Sequence, residues 1–209
     1  MKQDKTGKET NSISFTVLRE RTHPYRTFLF FALFGSSILF LALVFMFIVW
    51  VTHNDPILNF HLPKAFILST IILLFSSYTA SLSHRYYRED NAQKLLLSLS
   101  STLLFSGIFV ILQVIGWKSM YQSGFYIDGD AGITFLYTIT GLHFLHVGAG
   151  MIYLFYLSLK VFDIWRDPVR SLLYFSNHFE GVRLELFSTY WHFIDGLWLF
   201  LFLTFLFTL

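Results

Sequence analysis

The sequence predicts an all-α membrane protein with five transmembrane helices, and three observations lead there. Of its 209 residues 55% are hydrophobic and 20% aromatic, and only 13% are charged. So little polar surface cannot cover a water-soluble core of this size. The apolar residues are gathered in five long blocks, each long enough for a helix to cross a bilayer. The lysines and arginines are concentrated in alternate segments between those blocks, the pattern that cytoplasmic loops impose.

Residues 1–26 form a polar arm with Lys2, Lys5, Lys8, Arg19, Arg21 and Arg26. Its beginning buries too little apolar surface to offset chain entropy, so it is expected to be mobile. The first span is predicted over residues 27–51. A short loop, 52–63, carries the turn signal Asn54-Asp55-Pro56. The second span covers 64–84 and bears a row of small hydroxyls, Ser69, Thr70, Ser76, Ser77 and Thr79. A charged loop at 85–94 leads to the third span, 95–117. The loop 118–130 carries Gly124, Asp128, Gly129 and Asp130. The fourth span, 131–161, is longer than a bilayer requires and must tilt or protrude. Residues 162–183 read as the longest internal loop, and the fifth span, 184–209, ends the chain.

Thirteen of the fifteen Lys and Arg residues then fall on one side, leaving Lys64 and Lys118 for the other. The positive-inside rule makes that side cytoplasmic, with the N-terminus inside and the C-terminus external. There is no cysteine, which excludes disulfides and thiolate metal sites. A formal charge of +2 gives no footprint for nucleic acid. No signal peptide is read, because the first 26 residues are polar and the first apolar block lacks a small-residue cleavage pattern.

The ionisable groups inside the spans are the candidate site, since each needs a partner or a wet cavity in hydrocarbon. In the last span, Tyr190-Trp191-His192-Phe193-Ile194-Asp195 places His192 and Asp195 on one side of a helix with Glu185. In the fourth span, His143 and His146 share a face, and Gly141, Gly148 and Gly150 offer close approach to a neighbour. Two readings of the histidines compete: haem or metal ligation, or hydrogen bonding between helices. Haem ligation from two helices needs matched depths. At about 1.5 Å per residue, His192 lies roughly 12 Å from the inner end of its span and His146 roughly 22 Å from the inner end of its own. Copper or zinc needs three or four convergent ligands. Hydrogen bonding is therefore the preferred reading. Glu185 and Asp195 admit a proton-relay role; the simpler account has Asp195 held by His192, and Glu185 by Arg183 or water. Trp50, Trp117, Trp191 and Trp198 read as core and interfacial aromatics.

These residues resemble subunit III of the haem–copper terminal oxidases, the cytochrome c oxidase subunit III family. Residues 190–195 followed by Leu197-Trp198-Leu199-Phe200 are similar to that family's last helix, Tyr-Trp-His-Phe-Val-Asp and then Val-Trp-Leu-Phe. Glu185 falls seven before the histidine, as the family's glutamate does. Thr140-Gly141-Leu142-His143-Phe144-Leu145-His146-Val147 resembles the family's Thr-Gly-Phe-His-Gly-Leu-His-Val. Gln113 and Trp117 resemble its Gln-x-x-Glu-Trp, and Leu62-Pro63 with Ser76-Ser77-x-Thr79 its Leu-Pro…Ser-Ser-x-Thr span. Three departures stand out. Ser36-Ser37 replaces a Ser-Glu pair, Phe144 a glycine and Gly116 a glutamate.

The resemblance implies a five-helix bacterial form, in the cytoplasmic (inner) membrane, that lacks the first two of the mitochondrial form's seven helices. It implies a non-catalytic subunit with no cofactor or metal of its own, the haems and copper belonging to subunits I and II. Those subunits and membrane lipids are the implied partners, bound phospholipid included, and a larger respiratory supercomplex is compatible with it. The structural polar network is expected at Glu185, His143, His146, Tyr190, Trp191, His192 and Asp195, with Gln113 and Trp117. The alternatives are a haem-b membrane anchor of a dehydrogenase, or the equivalent subunit of a quinol oxidase or nitric oxide reductase.

Overall fold

The structure, a computed structural model, describes residues 5–53, 63–127 and 130–208, of which 5–23 are described as helix backbone only. The turn at Asn54-Asp55-Pro56, Leu62, and Asp128 with Gly129 lie outside the described residues, as do residues 1–4 and Leu209.

All regular structure among the described residues is helical, in the order α1 (Lys5–His53), α2 (Lys64–Arg88), α3 (Ala92–Gln122), α4 (Ala131–Trp165), α5 (Pro168–Ser176) and α6 (His178–Thr208). Five are long and apolar enough to cross a membrane: α2, α3, α4, α6 and the Pro24–His53 part of α1. The chain is an all-α, multi-pass membrane protein, and the five expected spans are all present. Their ends differ from the sequence reading. α1 runs back into the arm as far as Lys5, through Pro24. α2 and α3 are parted only by a tight turn, in which Asp90 takes a left-handed backbone with φ 51°, a conformation that Asp tolerates better than most residues.

The main correction concerns residues 162–183, expected as a loop. α4 continues to Trp165, α5 occupies Pro168–Ser176, and α6 begins at His178. Local chemistry explains it. Asp167 caps α5 by accepting from the Val169 N–H at 3.0 Å, and Pro168 sits in the first turn, where it loses no helical hydrogen bond. Asn177 then accepts from the Phe179 N–H at 3.1 Å and starts α6.

The spans alternate in direction. α2 and α3 form the most extensive pair, and α6 packs on α1, α2 and α4. The core has two clusters. One holds Phe40, Phe47, Phe66, Phe109, Ile194 and Trp198; the other holds Leu95, Leu99, Leu154, Leu157, Leu184 and Trp191. Met151 packs against both.

One glycine of the fourth span allows the close approach expected of it. A Cβ on Gly150 would stand 3.0 Å from both Trp191 Cζ3 and Tyr190 Cε1 on α6, whereas Gly141 and Gly148 face open space. Gly150→Leu is therefore expected to cost about 1–3 kcal/mol through overpacking, and Gly148→Leu little. Thermal unfolding of the two variants in one detergent checks the contrast.

Candidate functional site: the α2–α6 polar seam

α6 is apolar on nearly every side, so its few polar atoms must find partners inside the bundle. Three of them find partners on α2. Trp198 Nε1 donates to Thr70 Oγ1 at 3.0 Å, and Trp191 Nε1 donates to Ser76 Oγ at 3.1 Å. His192 Nδ1 and Ser77 Oγ are 2.8 Å apart. Residues 191, 192 and 198 of α6 meet 76, 77 and 70 of α2, so one antiparallel register satisfies all three. Three hydroxyls of the second span's row, Thr70, Ser76 and Ser77, are thus the partners of the aromatic motif of the last.

Asp195 is buried against the same strip. Ser77 interacts with its carboxyl group, while Oδ2 has no hydrogen-bond partner among the described residues. His192 pairs with Ser77, and no bond joins it to Asp195. Glu185 departs from the stripe reading: its Oε2 lies 2.5 Å from Arg26 Nη2, with both side chains nearly half exposed. Arg183, expected near Glu185, binds Glu180 instead, at 3.0 Å.

Glu180 is the residue that the sequence reading missed. Its side chain is only 8% exposed, and Lys160 on α4 holds its second oxygen at 2.8 Å. Glu180 thus carries a three-residue ion cluster tying α4 to the start of α6. Around it, the Tyr87 hydroxyl donates to the Asn177 carbonyl at 2.9 Å. Tyr174 is buried beside the cluster, and burial raises its phenol pKa, with the Glu180 charge adding to the effect.

In α4 the two histidines have different surroundings. His146 Nδ1 lies 2.9 Å from the Leu142 carbonyl and Nε2 lies 3.2 Å from Ser36 Oγ. The Tyr190 hydroxyl donates to the His146 carbonyl at 3.0 Å. His143 is 1% exposed, its ring 5.1 Å from that of Trp198 and 6.0 Å from that of Phe109. Both of its ring nitrogens lack a hydrogen-bond partner among the described residues, which the sequence did not anticipate. Gln113 donates to Ser69 Oγ at 3.0 Å, and Trp117 Nε1 donates to Thr140 Oγ1 at 3.1 Å. Among the described residues, no group of three or more His, Cys, Asp or Glu converges in a way that could hold a metal ion.

The protein-family comparison matches this chain over residues 23–208 to the description "Cytochrome c oxidase subunit III". The chain belongs to the cytochrome c oxidase subunit III family. Relatives named cytochrome c oxidase subunit 3 include one from Osphranter robustus, 35% identical over 66% of this chain and 48% of its own length. One from Loxodonta africana is 37% identical over 66% and 48%, and one from Mycosarcoma maydis 34% over 69% and 47%. The chain spans about half the length of the curated relatives it matches.

Family membership gives the sequence departures a physical setting. Gly116 stands where the resemblance places a glutamate, and a Cβ there would meet Phe66 Cε1 at 2.8 Å. Phe144, in place of a glycine, packs on Trp117 with ring centroids 5.3 Å apart. Ser37, at the position of the glutamate in the Ser-Glu pair, donates to the Leu33 carbonyl at 2.8 Å, and its neighbour Ser36 reaches His146.

Proposed function

We propose that this chain is the non-catalytic subunit III of a proton-pumping haem–copper terminal oxidase of the aerobic respiratory chain. In this reading it packs on subunit I in a bacterial cytoplasmic membrane, beside subunit II, with its N-terminus inside. The carrying observation is the α2–α6 seam. The indoles and imidazole of the last-helix motif are committed to hydroxyls of α2, so they serve as register-fixing groups. Such a scaffold supports proton uptake and sustained turnover through stability and water placement, while the redox centres lie in the partner subunits.

Bound phospholipid fits the same reading. A groove of about 330 Å³ between α1, α4 and α6 is lined by Phe28, Leu29, Ala149, Tyr153, Leu186 and Phe187. Tyr25 and Tyr153 continue it towards Arg183, so an acyl chain would lie along apolar walls with its phosphate near a guanidinium.

The test is gentle-detergent affinity purification of the tagged chain, with an optical spectrum and mass spectrometry of what accompanies it. A larger haem- and copper-containing subunit is expected, from which this chain strips as a colourless polypeptide. Oxidation of reduced cytochrome c or of a quinol by the recovered complex assigns the electron donor. His192→Leu is expected to lower recovery of the complex or shorten its turnover lifetime several-fold, with the haem spectrum per subunit I unchanged. A reducible haem band retained by the isolated chain would overturn the proposal in favour of a haem-b anchor.

A further inference from the structure

α5 has two faces of opposite character, and among the described residues only one has a partner. Tyr174 is buried, its ring 5.8 Å from that of Tyr87 and the Lys160 ammonium 5.6 Å from its centroid. Phe175 packs on Tyr87 as well, at 5.5 Å. These contacts fix the roll of the helix. Val169, Leu172 and Leu173 recur at the spacing of a single helical stripe, and they are 66%, 73% and 68% exposed. The pinned helix cannot turn to hide them.

The position of α5 limits what can cover that stripe. Two residues, Arg166 and Asp167, join it to α4, and Asn177 alone joins it to α6. It is therefore held within about a turn of the ends of two membrane-crossing helices. Exposed apolar surface on α4 persists to Trp165, three residues before α5 begins. Charge is placed to match a bilayer rim. Arg166 is exposed, its guanidinium 4.4 Å from the Phe162 ring centroid, and the Arg170 side chain is 68% exposed beside Asp167. Apolar side chains below and arginines at the rim are the composition of a helix lying in the headgroup layer, where anionic lipids attract each added cation.

We propose that α5 is a membrane-surface anchor whose Val169, Leu172 and Leu173 stripe lies at the headgroup–acyl boundary of an anionic bilayer. The inference rests on the five-span architecture alone and stands apart from the oxidase assignment.

The absence of cysteine makes the test direct. Leu172→Cys and Leu173→Cys in the full chain are each labelled with a nitroxide and reconstituted in phosphatidylcholine vesicles containing phosphatidylglycerol. Collision rates with oxygen and with a water-soluble nickel chelate are read. Ile152→Cys, at an exposed position of α4, gives the lipid reference, and a free nitroxide in buffer gives the aqueous one. The expected oxygen-to-nickel ratio at 172 and 173 is several-fold above the aqueous reference and below that at 152, and it rises with the phosphatidylglycerol fraction. A ratio equal to the aqueous reference puts the stripe in water and sinks the proposal. Suppression of both collision rates shows a protein surface over the stripe and sinks it equally.

Discussion

Trp198→Ala is expected to destabilise the bundle by about 3–5 kcal/mol, the range for deleting a large buried aromatic. Trp198 is 1% exposed and packs against Phe66, Phe109 and His143, with ring centroids 6.1, 5.3 and 5.1 Å away. In a membrane the lost term is mainly packing, because lipid is as apolar as the core. The cavity would open where α2, α3, α4 and α6 meet, so no single helix can move to fill it. The polar loss is smaller. Thr70 keeps its bond to the Phe66 carbonyl at 2.8 Å, so Trp198→Phe, which keeps one ring, loses about 1 kcal/mol from the hydrogen bond and only part of the packing, and should cost clearly less than alanine. Reversible unfolding in mixed micelles would separate the two variants. Equal losses would show that the indole N–H, not the ring, dominates.

The second large effect is expected at Glu180. Glu180→Ala removes the shared partner of Lys160 and Arg183, whose side chains are 28% and 37% exposed. Removing one member of a fully buried pair costs about 3–5 kcal/mol. Partial access to water relieves the two cations here, so about 2–3 kcal/mol is expected. Glu180→Gln keeps one acceptor oxygen and the side-chain volume but turns the other oxygen into a donor facing a cation, so it should lose somewhat less than alanine. The comparison is Glu185→Ala: its pair with Arg26 is nearly half exposed on both sides and should contribute under about 1 kcal/mol. Thermal midpoints of the three variants in one detergent test the order. If Glu185→Ala proved the more damaging, the weight given to the buried cluster would be wrong.

The spans were legible because hydropathy and cation placement are properties of one segment at a time. The pairing inside the bundle was not, because it depends on register between segments. Ser77 and His192 were each visible as polar residues in apolar spans, but only the antiparallel offset of α2 and α6 makes them partners. Asp195 as the partner of His192 was the local guess, and the helices made a non-local choice. Glu180 was missed for a different reason. The fifth apolar block begins at Leu184, so the polar stretch from His178 to Arg183 read as loop. It is the first turns of α6. The available signal was the Asn177 cap with an acid three residues on, a common opening of a helix. The glycines show the same limit: Gly148 and Gly150 are equivalent by composition, and only the rotation of α4 puts Gly150 under Trp191.

Among the described residues every ion pair, Arg26–Glu185, Arg85–Glu89, Lys160–Glu180, Arg183–Glu180 and Arg170–Asp167, lies at the end of the bundle that carries α5. The other end is closed by rings such as Phe47 against Phe205 and by the cap of Asp130 on Gly132. The α5 end of the bundle is thus latched by charge. Salt screens its exposed pairs, Arg26–Glu185, Arg85–Glu89 and Arg170–Asp167, far more than the buried Glu180 cluster. Raised ionic strength should quicken hydrogen exchange first around the exposed pairs and leave the Glu180 cluster closed.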